Sequence, residues 1–412
     1  MRTSRLVLLF GLSAILLGHA GAGAAEDLPI GSWLSQAENP PVGSWSTPPE
    51  LIGSGTGQVT VREFVHTSVG GTGARVRFSN QYGQEPLVVQ NIHLAVRDTS
   101  TTTGVLTATD RTVTFAGASS VTIPVGAIAV SDLVEMKVPA VTDIGVSFYL
   151  PAPTFSAVTG QNGTFGKPGY LAYGGDYTAA ATLPPGSPTY GTTYFLVGLD
   201  VQGLEARQAV VALGASITGG VGSTPDANNR WTDVLAQRLV QAGIGVGVLN
   251  SGISGDNAID DAGGPNAQRR FNADVLSQAG VGWVIISDFP INNFGPNPST
   301  AAAPIAALQQ LITRSHEKQI RVLCSTLTPF KGYGSWTPTL EAGREAYNAF
   351  VASKSSGCDG VIDQAKAVGD PRDPQQYLAA YDSGDHLHPN PAGHAAIAHS
   401  INLMLFLDTV GD

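Results

Sequence analysis

The chain has 412 residues, a formal net charge of −10 and only 13% charged side chains. That balance leaves no basic footprint for nucleic acid or an anionic membrane surface, and the length favours two domains over one. Two cysteines, Cys324 and Cys358, are too few for a disulfide framework, although in an exported chain they could pair.

Residues 1–24 read as a cleavable signal peptide. Arg2 and Arg5 precede an apolar run over residues 6–17, and Ala22-Gly23-Ala24 offers a small-residue cleavage site. The run is too short to span a bilayer, and no cysteine follows it for lipid attachment, so a secreted or periplasmic protein without a stable membrane anchor is expected. From residue 25 to 203 the pattern has period two. Val59, Val61 and Val65 alternate with mostly polar neighbours, as do Ile92, Leu94 and Val96, and Ile144, Val146, Phe148 and Leu150. Short runs of the same kind at 75–79, 112–115, 121–124, 133–138 and 193–199 are separated by Gly, Pro, Asn and Asp, the pattern of an antiparallel β-sandwich. Residues 151–191 lack periodicity and predict a long irregular excursion, reaching over the second domain.

Over residues 204–412 apolar strands alternate with helical stretches. Strands are expected at 210–213, 246–249, 281–287, 320–327 and 361–363. The helices between and after them carry Trp231, Val234, Leu235 and Leu239; Phe271, Val275 and Leu276; Ile305, Leu308 and Ile312; Leu340, Tyr347 and Val351; and Ile397, Ile401 and Leu405. Such alternation means a parallel sheet of about five strands flanked by helices. Cys324 falls in the fourth strand and Cys358 just before the fifth, which would make a disulfide possible.

Ser216 follows the first of these strands in a Gly-Ala-Ser turn, where open α/β sheets place their ligands. A serine hydroxyl needs a base to take its proton, and the base needs an acceptor to hold its tautomer. His388, with Asp385 three residues earlier, supplies both from one loop, and Asn390-Pro391 reads as the cap and first position of the helix that follows. The sequence Asp385-His386-Leu387-His388 could also bind a metal, but no third ligand cluster accompanies it. His386 and His394 read as a loop and a helix-surface histidine.

Val211-Ala212-Leu213-Gly214-Ala215-Ser216-Ile217-Thr218 resembles the Gly-Asp-Ser block of the SGNH/GDSL hydrolases, and Asp385-His386-Leu387-His388-Pro389 is similar to their final Asp-x-x-His block. Asn250-Ser251-Gly252-Ile253-Ser254-Gly255 resembles the second block, and Pro290-Ile291-Asn292-Asn293 stands where the third, Gly-x-Asn-Asp, is expected. The resemblance covers roughly residues 205–408, and the β-rich front half is similar to the amino-terminal domain of a bacterial subset. It implies a flavodoxin-like sheet, Ser216 as nucleophile, His388 as general base and Asp385 as its orienting carboxylate. It also implies an oxyanion hole of the Ser216 amide, the Gly255 amide and the Asn292 side chain. Three positions depart from the pattern: Ala215 replaces an aspartate, Pro290 a glycine and Asn293 an aspartate.

The reading that follows is a secreted carboxylic ester hydrolase with an acyl-serine intermediate, needing neither metal nor cofactor. Its substrate would be a small-molecule or polysaccharide ester, with short-chain acyl esters, lipid esters and acetylated polysaccharides all open. Phe294, Phe330, Tyr333 and Trp336 could line an acyl or sugar pocket, or pack on the scaffold. The alternative is a weakened hydrolase scaffold that binds glycans or surfaces; nothing in the sequence specifies an oligomeric state.

Overall fold

The computed structural model describes residues 39–161, 163, 166–203, 206–262, 264–294 and 301–407. The segment read as a signal peptide, 1–24, lies outside the described residues. Two large antiparallel sheets and a two-stranded one, Thr154–Gly160 on Glu50–Thr56, fill the first half. One large sheet runs in the order Val42–Ser46, Leu196–Gln202, Gly71–Ser79, Ile128–Val130, with Val134–Val138 also on Gly71–Ser79. The other runs Thr189–Tyr190, Gly169–Tyr173, Val59–His66, Asp143–Leu150, Leu87–Val96, Arg111–Val113, with Ser120–Ile123 also on Leu87–Val96. Period-two residues meet in this core: Val61 pairs with Phe148 and Val65 with Ile144, all buried. Phe78 of the first sheet meets Phe148 of the second edge-on, with ring centroids 4.9 Å apart.

Residues 151–191 are not an irregular excursion. They contain the strands Thr154–Gly160, Gly169–Tyr173 and Thr189–Tyr190. Gly169–Tyr173 is covered on both faces, so no alternation marks it. The stretch around Thr178 and Ala180 lies against Val59–His66, where the fully buried Arg62 donates to the carbonyls of those two residues and to that of Thr103. The segment also touches the second half: Gln161 Nε2 donates to the Gly252 carbonyl at 2.9 Å.

The second half is a five-stranded parallel sheet made of β1 (Gln208–Gly214), β2 (Val246–Gly252), β3 (Val281–Ile286), β4 (Arg321–Ser325) and β5 (Gly360–Ile362). Its order is β2-β1-β3-β4-β5, the flavodoxin-like arrangement, and every pair is parallel. The helices are α1 (Ser216–Gly219), α2 (Trp231–Gln241), α3 (Ala267–Phe271), α4 (Ala302–His316), α5 (Pro338–Val351), α6 (Gln364–Val368) and α7 (Pro391–Ser400). Three details differ from expectation. Helix begins at Ser216 itself, in α1, well before α2; α3 passes into a π-helical turn over Asn272–Leu276; and α7 stops at Ser400, with Leu405 in a separate 3₁₀ turn. Cys324 and Cys358 are joined in a disulfide across β4 and the approach to β5, with Cα atoms 5.8 Å apart.

One hydrophobic core runs through both halves, taking in Val42 and Leu199 of the first and Val211, Leu249 and Val284 of the second. The edge strand β2 does not stand open. The Ser68 hydroxyl accepts from the Val248 amide at 2.8 Å, and the Gly43 backbone lies so close to Gly247 that a Cβ there would come 2.0 Å from the Gly43 carbonyl. Residues Asn39–Asp412 form one compact unit; the topology changes after Gln202 without a break in the packing.

Candidate active site

Ser216, Gly255 and Asn292 stand just beyond the carboxyl ends of β1, β2 and β3, where the strand order reverses about β1. Ser216 is partly exposed, and its Oγ lies 2.9 Å from His388 Nε2. His388 Nδ1 lies 2.5 Å from Asp385 Oδ2. The network assigns the Nδ1–H tautomer, which leaves Nε2 free to accept the serine proton. The other Asp385 oxygen accepts from the amides of Leu387 at 2.9 Å and His388 at 2.8 Å. Burial pushes the Asp385 carboxyl up, but the His388 ring and these two amides outweigh it and hold its pKa at about 2. The loop is closed from below by α7, whose cap, Asn390, accepts from the Gly393 amide at 3.0 Å, with Pro391 in the first turn.

The Ser216 turn hangs on a residue that the sequence reading passed over. Asp288, buried just beyond β3, accepts from the Ala215 amide at 3.1 Å, the Ile217 amide at 2.9 Å and the Thr218 hydroxyl at 2.5 Å. Ala215 has no side-chain acceptor to cap α1, so Asp288 supplies the carboxylate from another strand. The Ser216 amide, at the first helical position, has no intrahelical acceptor. Gly255 occupies the third position of a turn closed by the Asp256 amide on the Ile253 carbonyl, and its φ of +78° is the value a type II turn demands there.

The departures in the third block are accommodated. Pro290 sits in the first turn of the 3₁₀ segment Phe289–Asn293, where its missing N–H would have had no helical partner. Asn292 Nδ2 donates to the Asp256 carbonyl at 2.7 Å, which seats it beside the Gly255 turn with its second N–H still to give. Asn293 Oδ1 accepts from the Ala258 amide at 2.7 Å while its Nδ2 donates to Asn257 Oδ1 at 3.1 Å. A carboxylate could make only the first of these contacts.

Beneath these loops lies the buried Arg270. It donates to Asp256 at 2.5 and 2.8 Å, to Asp274 at 2.7 Å, and to the carbonyls of Gly214 and Ser251 at 3.0 and 2.9 Å. It thereby ties the ends of β1 and β2 to the Gly255 turn, and the π-helical turn brings Asp274 within reach. The spacing of Arg270 and Asp274, four residues apart, was the available signal; Asp288 was signalled only as a lone acid after an apolar run.

His394 is not on the helix surface. It is fully buried, with Nε2–H donating to the Val221 carbonyl at 3.0 Å and Nδ1 accepting from the Trp231 amide at 3.3 Å. Burial pushes its pKa down to about 4. His386 is an exposed loop residue with Nδ1 2.6 Å from Asp382. Phe294 and Phe330 belong to the core rather than to a pocket wall, and Trp336 packs against that core; Tyr333 is exposed.

The family model described as the GDSL-like Lipase/Acylhydrolase family matches residues 212–396. That stretch contains Ser216, Gly255, Asn292, Asp385 and His388. Residues 212–396 form a GDSL-like lipase/acylhydrolase domain. No curated protein matches the chain. Among solved structures, it is similar to an aryl esterase of M. smegmatis (20% identity, 47% of this chain and 95% of that one, TM-score 0.37). Similar values hold for an acetyl-xylooligosaccharide esterase of Geobacillus (20%, 50% and 98%, 0.37) and a GDSL-like lipase of Bacteroides thetaiotaomicron (16%, 48% and 88%, 0.36).

Two outcomes follow for this GDSL-like domain. Ala215→Asp, which restores the family's motif, puts a second carboxylate against the buried Asp288. It should lower stability by about 2 kcal/mol or more and reduce ester hydrolysis; a more active and equally stable variant would contradict this role for Asp288. His394 bears on pH. The unfolded chain takes up its proton near the ordinary value of about 6.5, before the folded one does. Stability should therefore be lost as pH falls from there towards about 4, by at most roughly 3 kcal/mol. Urea unfolding at pH 7 and 4.5 should show a smaller loss in His394→Gln than in the wild type, and equal losses would exclude the assignment.

Proposed function

We propose that the protein is a secreted carboxylic ester hydrolase that works through an acyl-Ser216 intermediate. The observation that carries the reading is the hydrogen-bonded line Asp385–His388–Ser216 at the carboxyl end of β1, inside the family domain. Ser216 Oγ attacks the ester carbonyl as His388 Nε2 takes its proton. The tetrahedral oxyanion is held by the Ser216 and Gly255 amides and the Asn292 side chain, donors already fixed before charge develops. The imidazolium then gives its proton to the departing alkoxide. Water, activated by His388, attacks the acyl group, and collapse of the second intermediate returns the proton to Ser216 Oγ and releases the acid. Asp385 stays ionised throughout and stabilises the imidazolium. These steps call on no metal or cofactor.

Secretion is inferred from residues 1–24 alone. Ser216 is partly exposed and Gly255 and Asn292 are exposed, an arrangement suited to an ester carried by a small molecule or by a polysaccharide. The catalytic reading is favoured over a surface-binding one because each motif departure has a partner: Asp288 at Ala215, the first-turn position of Pro290, and Asn257 with Ala258 at Asn293.

Hydrolysis of a chromogenic acetyl or butyryl ester tests the proposal. Ser216→Ala should lose at least about a thousandfold in kcat, and Asn292→Ala about a hundredfold with little change in KM. Turnover by Ser216→Ala equal to that of the wild type would overturn the mechanism, and an unimpaired Asn292→Ala would remove that side chain from the oxyanion site.

A further inference from the structure

The loop of residues 220–230 joins α1, which carries Ser216, to α2. At its start the amides of Gly220 and Val221 both donate to the Ser216 carbonyl at 2.9 Å, and the Val221 carbonyl takes the proton of His394. Next comes Gly222, with φ of +84°, against the loop that carries His388: a Cβ there would come 2.1 Å from the Pro389 carbonyl. The near end of the loop thus touches both sides of the Ser216–His388 hydrogen bond.

The far end is held by the first half of the chain. Arg97 donates through both terminal nitrogens to the Asp226 carboxylate, at 2.7 and 2.9 Å, a bidentate fork. Lys167 Nζ reaches the same carboxylate at 2.7 Å and the Asp226 carbonyl at 3.1 Å, and the Asp226 amide donates to the Gly166 carbonyl at 2.7 Å. Behind them Asp143 accepts from Lys167 at 2.6 Å, Arg97 at 3.1 Å and His66 at 2.6 Å, and Asn228 Nδ2 adds a contact at 3.3 Å. The two cations are almost wholly buried, while the Asp226 carboxylate is 37% exposed, so solvent reaches the grip from the loop side. Asp226 itself adopts a φ of +61°, a left-handed conformation uncommon among non-glycine residues that aspartate tolerates better than most. Burial pushes the Asp226 carboxyl up, yet Arg97 and Lys167 draw it below the usual range.

We propose that the β-rich half takes part in catalysis as well as in folding: Arg97 and Lys167 are positioning residues that, through Asp226, fix the loop setting Ser216 against His388. The charged grip acts on the reaction only through that loop, and its work depends on the proposed Ser216–His388 chemistry.

The test measures kcat, KM and thermal midpoint of the full chain for Asp226→Asn, Arg97→Met, Lys167→Met and Gly222→Ala on a chromogenic ester, well below the lowest midpoint. Asp226→Asn keeps shape and loses charge. It should lower kcat tenfold or more with KM within about threefold, and Gly222→Ala, which displaces the loop at its other end, should reproduce that split. Arg97→Lys, which keeps the charge but not the fork, should fall between Arg97→Met and the wild type. Variants that melt earlier but retain wild-type kcat would show a purely structural grip and overturn the proposal. A change confined to KM would overturn it too, by making the loop a substrate contact. Should Arg97→Met fail to fold, Asp226→Asn and Gly222→Ala decide the matter. Wild-type activity in Ser216→Ala would instead sink the underlying chemistry, whatever the loop variants do.

Discussion

A single buried carboxylate holds the Ser216 turn in place. Asp288 faces the Ala215 amide, the Ile217 amide and the Thr218 hydroxyl, all at the start of a helix one turn long. So short a helix has no stability of its own, since nucleation costs more than one turn of hydrogen bonds returns. Without Asp288 the turn would leave three buried donors without partners, each costing about 1–3 kcal/mol. Because the carboxylate comes from the end of β3, the position of Ser216 is tied to the segment that carries Asn292. Ser216 and the third block are therefore held by one carboxylate-bearing segment.

The same logic extends outward. Arg270 locks the ends of β1 and β2 to the Gly255 turn, and the Asp256 carbonyl in turn seats Asn292. A buried guanidinium with two carboxylates and two carbonyls around it is costly to assemble and costly to disturb, which suits a device that fixes geometry more than one that adds stability. His394 does comparable work below the loop of residues 220–230, joining Val221 to the start of α2. These side chains leave the loops beyond the sheet little freedom, and preorganised donors are what acyl transfer requires.

What could be read from the sequence was what has a period or a motif. The five parallel strands are short apolar runs, the antiparallel strands alternate, and Ser216, Asp385 and His388 occupy recognisable blocks, which the structure brings within hydrogen-bond distance of one another. Single polar side chains acting across the fold have no such signature. Asp288 lies 73 positions from Ala215, and Arg270 lies 56 from Gly214. Strand Gly169–Tyr173 was hidden because both faces are covered, and His394 was misplaced because α7 is apolar on most sides, so its period does not show which face is inside. The substitutions at Ala215 and Asn293 looked like losses because their compensating partners are distant in sequence or hidden in a turn.

The most direct measurement is covalent labelling. Treating the protein with an organophosphate at neutral pH, followed by digestion and peptide mass analysis, asks where the activated nucleophile is. One adduct per chain on the peptide that carries Ser216, slowed when His388 is replaced, is the predicted result. An adduct on another residue, or an enzyme that hydrolyses esters without being labelled, would contradict it.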